Sequence, residues 1–298
     1  MLHIKAFCET YAFDPAAASH FAAQYQILKS HADAYGVFCR QLEVCRNNRL
    51  FDHGPVFEQL HGLREATGIH QHTIDMLYLF CLLPDLEEQY GCEGIPARFF
   101  HGFVENLKQA TYNCKKIHGV WGTDIAWWLI DFFKLKLFSI GRLQFKRRKL
   151  RNAMGGYAEG SYYIDVHIPG GAPLTPSLCA ASYAEAARFF QARYGMEHIL
   201  FGCHSWLLSP ELLAILPENS NILAFARDYT ILATRIDPSS SAVSFIFHVP
   251  GVPANLESLP EDTSLQKVLK LHLKAGKTIN TAFGIMEYKV TNQSVCAP

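Results

Sequence analysis

The sequence predicts an α+β protein, with a helical N-terminal domain followed by a mixed α/β sheet flanked by helices. Three observations predict it. The first third carries apolar residues at helical spacing between start and stop signals. Near Leu135 the texture changes to runs rich in β-branched and aromatic residues, set apart by turn-formers. Beyond that point strand-like runs alternate with capped amphipathic stretches. A length of 298 residues fits two domains. They are placed at 1–120 and 121–298.

The elements follow in order. Asp14-Pro15 reads as an N-cap and a first-turn proline ahead of AAASHFAAQYQILKS. Gly68 and Pro84 bracket a second strong helix, IHQHTIDMLYLFCLL. Gly94-Ile95-Pro96 opens ARFFHGFVENLKQATYNCKK, and the stretch from Trp121 to Phe133 reads as one more helix. KLFSIGRLQF and SYYIDVHI, separated by NAMGGYAEG, read as an antiparallel pair. Ser182 and Glu185 fit a capping box, and Gly195 is a helix stop. HILFGCHSW follows as a short buried strand, and Ser209-Pro210 opens a helix that Pro217 ends. NILAFARDYTILATRI and SAVSFIFHV read as a hairpin around Asp237-Pro238-Ser239-Ser240. Thr263 and Gln266 form another capping box, Gly276 closes that helix, and TINTAFGIMEYKV is a last strand.

Composition narrows the function classes. Lysine plus arginine equals aspartate plus glutamate, so no global basic field points to nucleic acid. The most apolar run, AWWLIDFFKLKLFSIG, is interrupted by Asp131, Lys134 and Lys136 and falls short of a membrane span. The nine cysteines are scattered and form no CxxC, which argues against a disulfide framework or zinc ribbon and for a reduced, cytoplasmic setting.

Four constellations carry chemistry. PGGAPLTPSLCAAS, with Gly170 and Gly171 ahead of a helix start, is suited to phosphate or pyrophosphate, and also serves as a plain connection. The run KRRKLRN brings Arg147 and Arg148 into a segment where eight basic residues and no acids lie between Phe132 and Ala158. It is suited to phosphates, or to a solvated strand edge. FGCHSW sets Cys203 beside His204, but neighbours on a strand face opposite ways. Cys203 is therefore expected in the core and His204 on the cleft side or in a structural bond. Asp165 and His167 share a strand face and, beside His204, make an acid–base cluster. His70-x-His72 would diverge on a helix, so no metal is expected.

Several segments together resemble a family. GRLQF (141–145), HIPGGAPLTP (167–176), CHSWLL (203–208) and SNI (220–222) are its most specific pieces. They look like those of bacterial acyltransferase-domain proteins that join a helical N-terminal domain to a GNAT-like C-terminal domain. The likeness covers roughly residues 60–298. It implies two parallel strands that splay apart, here SYYIDVHI and HILFGC, with acyl-CoA in the opening and its pyrophosphate on the amides of 170–182. The loop departs from the usual Gln/Arg-x-x-Gly-x-Gly/Ala pattern, being longer and proline-rich. Cofactor contacts are then expected from Ile168, Gly170, Gly171, Ser182, Arg147 and Arg148. Acyl transfer needs a base for the amine and an acid for the leaving thiolate. His167, Glu159 and His204 are candidates for the first, and Tyr162, Tyr163 and Ser205 for the second.

The leading expectation is an acyl-CoA-dependent N-acyltransferase, with acetyl-CoA as donor and a small-molecule or peptide amine as acceptor. No nucleic acid or membrane partner is expected, and a homodimer is left open. A non-catalytic GNAT-shaped binding or regulatory protein is the alternative, and a Cys–His hydrolase a distant third.

Overall fold

In the computed structural model, residues 4–237 and 241–289 are described. The chain divides into two compact units, Met1–Phe138 and Ser139–Pro298. That division comes later than the 120/121 boundary read from the sequence, and it leaves the helix after Trp121 in the first unit.

The first unit is helical: α1 (Ile4–Thr10), α2 (Pro15–Ser30), α3 (Ala32–Asn47), α4 (His53–Thr67), α5 (Gln71–Cys92), α6 (Ala97–His118) and α7 (Ala126–Phe133). Asp14 caps α2 as expected, accepting the Ala16 and Ala17 amides. α5 does not stop at Pro84 but runs through it to Cys92. Proline costs one backbone bond there. Leu82 and Leu83 before it, and Leu86 and Tyr90 after it, are all buried, and that packing carries the helix across. α7 begins at Ala126 rather than Trp121, because Gly122 packs on the His72 backbone and Thr123 N–H donates to the His72 carbonyl. Among the described residues no helix is long and apolar enough to cross a membrane.

A six-stranded sheet follows, in the order β1-β2-β3-β4-β6-β5. Its strands are β1 (Leu137–Ile140), β2 (Leu143–Lys149), β3 (Tyr162–His167), β4 (Ile199–Ser205), β5 (Thr230–Arg235) and β6 (Thr281–Tyr288). β2–β3, β4–β6 and β5–β6 pair antiparallel, and β3–β4 parallel. The fold is α+β, as read. KLFSIGRLQF is two strands, folded at Gly141 with φ +60°. There the Ser182 hydroxyl would lie 2.5 Å from a Cβ, so glycine is required twice over.

The helices of this unit are α8 (Pro176–Tyr194), α9 (Pro210–Leu213), α10 (Asn221–Arg227), α11 (Ser241–Phe247) and α12 (Ser264–Lys274). Three expectations are corrected. Ser182 is not the cap of α8: the helix starts at Pro176, where Thr175 accepts the Leu178 amide. NILAFAR is helical, capped by Ser220, and the strand begins only at Thr230. SAVSFIF is also a helix, so the expected hairpin does not form, and β5 pairs instead with the distant β6. Strand-loving residues took helical form because Ala242, Val243 and Phe247 bury one helical face. Pro238, Ser239 and Ser240 of the expected turn lie outside the described residues. The Thr263–Gln266 capping box is present in full, and Gly195 closes α8 in the left-handed conformation.

Candidate functional site

β3 and β4 pair in parallel and are joined by the crossover helix α8. Their ladder holds only Ile164↔Phe201 and Asp165↔Gly202. Both strands go on beyond it, β3 to His167 and β4 to Ser205. The C-terminal ends of two adjacent parallel strands are therefore unpaired with each other, beside the start of a long helix.

Alternation assigns the side chains to two faces. Phe145, Val166, Phe201 and Cys203 are buried, and the rings of Phe145 and Phe201 meet Tyr183 of α8. The other face carries Gln144, Lys146 and Arg148 from β2, Tyr163, Asp165 and His167 from β3, and Gly202 and His204 from β4. Thr281 and Phe283 of β6 continue it. Gly202 has no Cβ because the Tyr163 ring lies over it, 2.6 Å from where one would be.

The centre of this face is Asp165, only 3% exposed. Its Oδ2 accepts from His167 Nε2 at 2.9 Å and lies 2.8 Å from Arg148 Nε. The Arg148 contact is an ion pair without hydrogen-bond alignment, since that N–H lacks a directed acceptor. In the tautomer that carries its proton on Nε2, toward the carboxylate, Nδ1 is the acceptor nitrogen of the His167 ring. His204 is exposed, and its Nε2 meets Thr281 Oγ1 at 3.2 Å. Its pKa is held below the usual 6.5, first by desolvation and then by Arg235 and His167, against the pull of Asp165 and Asp237. The structure brings Asp165, His167, His204 and Arg148 onto one face.

Other expected residues stand apart. Cys203 is fully buried, with its thiol pushed well up by desolvation. Ser205 is half-buried and caps a short turn by accepting the Leu207 amide at 3.1 Å. Glu159 is exposed in the β2–β3 connection. Tyr163 is packed with Leu150, Leu200 and Ile285, and burial pushes its hydroxyl up to about 12. Arg147 and Arg148 point to opposite faces, so one phosphate cannot take both. The Arg147 guanidinium stacks 3.5 Å over the Tyr162 ring and 4.8 Å over Tyr194.

The loop after β3 is built by a residue that sequence reasoning quoted but gave no role, Arg142. Its Nε donates to the Ala172 carbonyl at 2.7 Å and its Nη1 to the Pro169 carbonyl at 2.8 Å. Its amide donates to Ser182 Oγ at 2.7 Å, and Ser182 in turn donates to the Leu178 carbonyl. Buried Ser182 is a strut for the β1–β2 turn. The guanidinium gathers the carbonyls of the loop that leads into α8. Ile168 follows β3 directly, and Gly170 and Gly171 are exposed at the loop's tip, Gly171 at φ +106°. The GRLQF motif was the available signal, but an arginine that braces a loop looks in sequence like one that binds a ligand.

In the first unit the rings of His70 and His72 do not diverge but lie 4.8 Å apart, because His70 is the N-cap of α5 and not inside it. Among the described residues no group of three or more histidine, cysteine or acidic side chains could hold a metal ion.

Residues 137–286 match the family model of the GNAT-like C-terminal domain, and residues 3–135 match that of the N-acyltransferase N-terminal domain. No curated protein matches the sequence. Among solved structures, an acyltransferase in complex with decanoyl-CoA is similar at 22% identity and TM-score 0.73, over 96% of this chain and 88% of that one. An acyltransferase in complex with decanoyl-CoA and teicoplanin is similar at 20% identity and TM-score 0.66, over 97% and 100%. A third, with CoA and 10C-teicoplanin, has a TM-score of 0.65 at 20% identity over the same shares. At these identities the likeness is one of fold.

Proposed function

Because the chain belongs to the family with a GNAT-like C-terminal domain, and carries an N-acyltransferase N-terminal domain before it, we propose that it is an acyl-CoA-dependent N-acyltransferase. The observation that carries the reading is the β3–β4 ladder that ends after two pairs beside the Asp165–His167 pair. Unpaired backbone groups at those strand ends suit the amides of a pantetheine arm. At the first turn of α8, Pro176 has no N–H and the Leu178 amide is held by Thr175, so the Ser177 amide is the donor left for a pyrophosphate, with the loop carbonyls held by Arg142.

The step needs a base for the amine and a proton source for the thiolate. The amine nitrogen attacks the thioester carbonyl carbon, and a C–N bond forms. His167, held by Asp165, takes the amine proton. The C–S bond breaks as the tetrahedral intermediate collapses, and the thiolate is protonated from water at the open end of the cleft. The acyl group is read as longer than the acetyl expected from sequence, because two solved relatives carry decanoyl-CoA.

The test is titration with decanoyl-CoA, acetyl-CoA and CoA, followed by thiol release on adding an amine. Decanoyl-CoA is expected to bind more tightly than acetyl-CoA and to be consumed with an amine. Absence of binding by all three would remove the reading, and binding without transfer to any amine would favour a non-catalytic binding protein.

A further inference from the structure

A cavity of about 410 Å³ opens on the sheet face that carries Asp165. Arg148, Lys149, Arg151 and Asn152 are its polar lining residues, the Lys149 ammonium lying 4.8 Å over the Tyr162 ring, and Leu150, Met154, Tyr163 and Phe283 make the apolar part. Two of its lining residues neighbour the acid–base pair. Arg148 sits on the Asp165 carboxylate, and Tyr163 precedes Asp165 by two on the same strand face.

The two arginines are not equivalent. Arg148 is neutralised by Asp165. Arg151 is exposed and has no acidic partner among the described residues, although its charge acts on the Tyr163 hydroxyl. Asn152 beside it is exposed too. The lining thus combines an uncompensated guanidinium and an amide with an aromatic and thioether surface. A buffer-exposed guanidinium recognises a carboxylate by charge-assisted hydrogen bonds, and a Tyr–Phe–Met surface takes an apolar body. The rings of Tyr163 and Phe283 lie 5.9 Å apart, edge on, and form a preset wall for such a body.

We propose that this cavity is the acceptor subsite, and that it selects amines carrying a carboxylate and an apolar body, as an amino acid with a large apolar side chain does. Arg151 takes the carboxylate, and the Phe283–Tyr163–Met154 wall takes the side chain. The inference rests on the acyltransferase reading above, whose donor it leaves untouched.

The experiment uses the full chain with decanoyl-CoA as donor, and phenylalanine and phenylalaninamide as acceptors, which differ only in the carboxylate. Thiol release gives kcat/KM for each. The ratio of phenylalanine to phenylalaninamide is expected to fall about tenfold in Arg151→Gln, through KM rather than kcat, and to be largely restored in Arg151→Lys. An unchanged ratio in Arg151→Gln, or acylation of neither amine by an enzyme that acylates other amines, would overturn the subsite. If Arg151→Gln instead raises KM for decanoyl-CoA, the cavity belongs to the donor and the proposal fails. Loss of decanoyl-CoA binding by the unmodified chain is a separate result, which strikes the acyltransferase reading.

Discussion

Asp165 and His167 stand on the same side of β3, two residues apart, and the buried carboxylate accepts from His167 Nε2 at 2.9 Å. A strand places alternate residues together, so this contact costs no chain closure. Asp165→Asn keeps the shape and removes the charge that fixes the ring and pairs with Arg148. Acyl transfer is expected to fall about 100-fold in kcat, with donor affinity kept within a few-fold. An equal loss in donor affinity, measured by titration, would assign Asp165 to binding.

Arg142 ties the loop of 169–173 to the β1–β2 turn through three carbonyls. Arg142→Ala leaves those carbonyls to solvent and frees the chain that leads into α8. The unfolding free energy should drop by about 1–3 kcal/mol. KM for acyl-CoA should rise more than kcat falls. Hydrogen exchange at the amides of 177–180 reads the loosening directly, and unaltered protection there would contradict the bracing role.

Cys203 sits in the core with a thiol that resists ionisation. A thiol in that state is no nucleophile. Cys203→Ala should retain acyl transfer within about threefold and cost about 1 kcal/mol or a little more in stability. Abolished transfer in a folded Cys203→Ala protein would revive covalent catalysis.

His72 has its pKa lowered from 6.5 to about 4, first by burial and then by His118 and His70. The His118 ring lies 4.8 Å away. Below pH 6.5 the unfolded chain gains a proton on this residue that the folded chain refuses. Stability is therefore full above pH 6.5 and falls as the pH drops toward 4. Partial solvent access limits the loss to about 2 kcal/mol. Urea unfolding at pH 7.5 and 4.5 should show His72→Gln losing less on acidification than the native sequence, and an equal loss would assign the acid sensitivity elsewhere.

Local signals in the sequence determined much of this protein. The Asp14 and Thr263 caps, the Gly195 stop, the β2–β3 antiparallel pair and the opposite facing of Cys203 and His204 all follow from side chains acting within a few residues. The Asp165–His167 pair was legible for the same reason. Tertiary structure decided what depends on distant partners. α5 continues through Pro84 because the helices around it bury its far end, and SAVSFIF is a helix because one of its helical faces is buried. β5 finds β6, 46 or more positions along the chain, rather than its sequence neighbour. Ser182, which looked like a cap, is a strut because α8 starts nearly two turns earlier, and Arg142 is a brace because three loop carbonyls converge on it. Capping and alternation are short-range physics that the sequence states openly. Burial and convergence arise only once the chain has closed on itself.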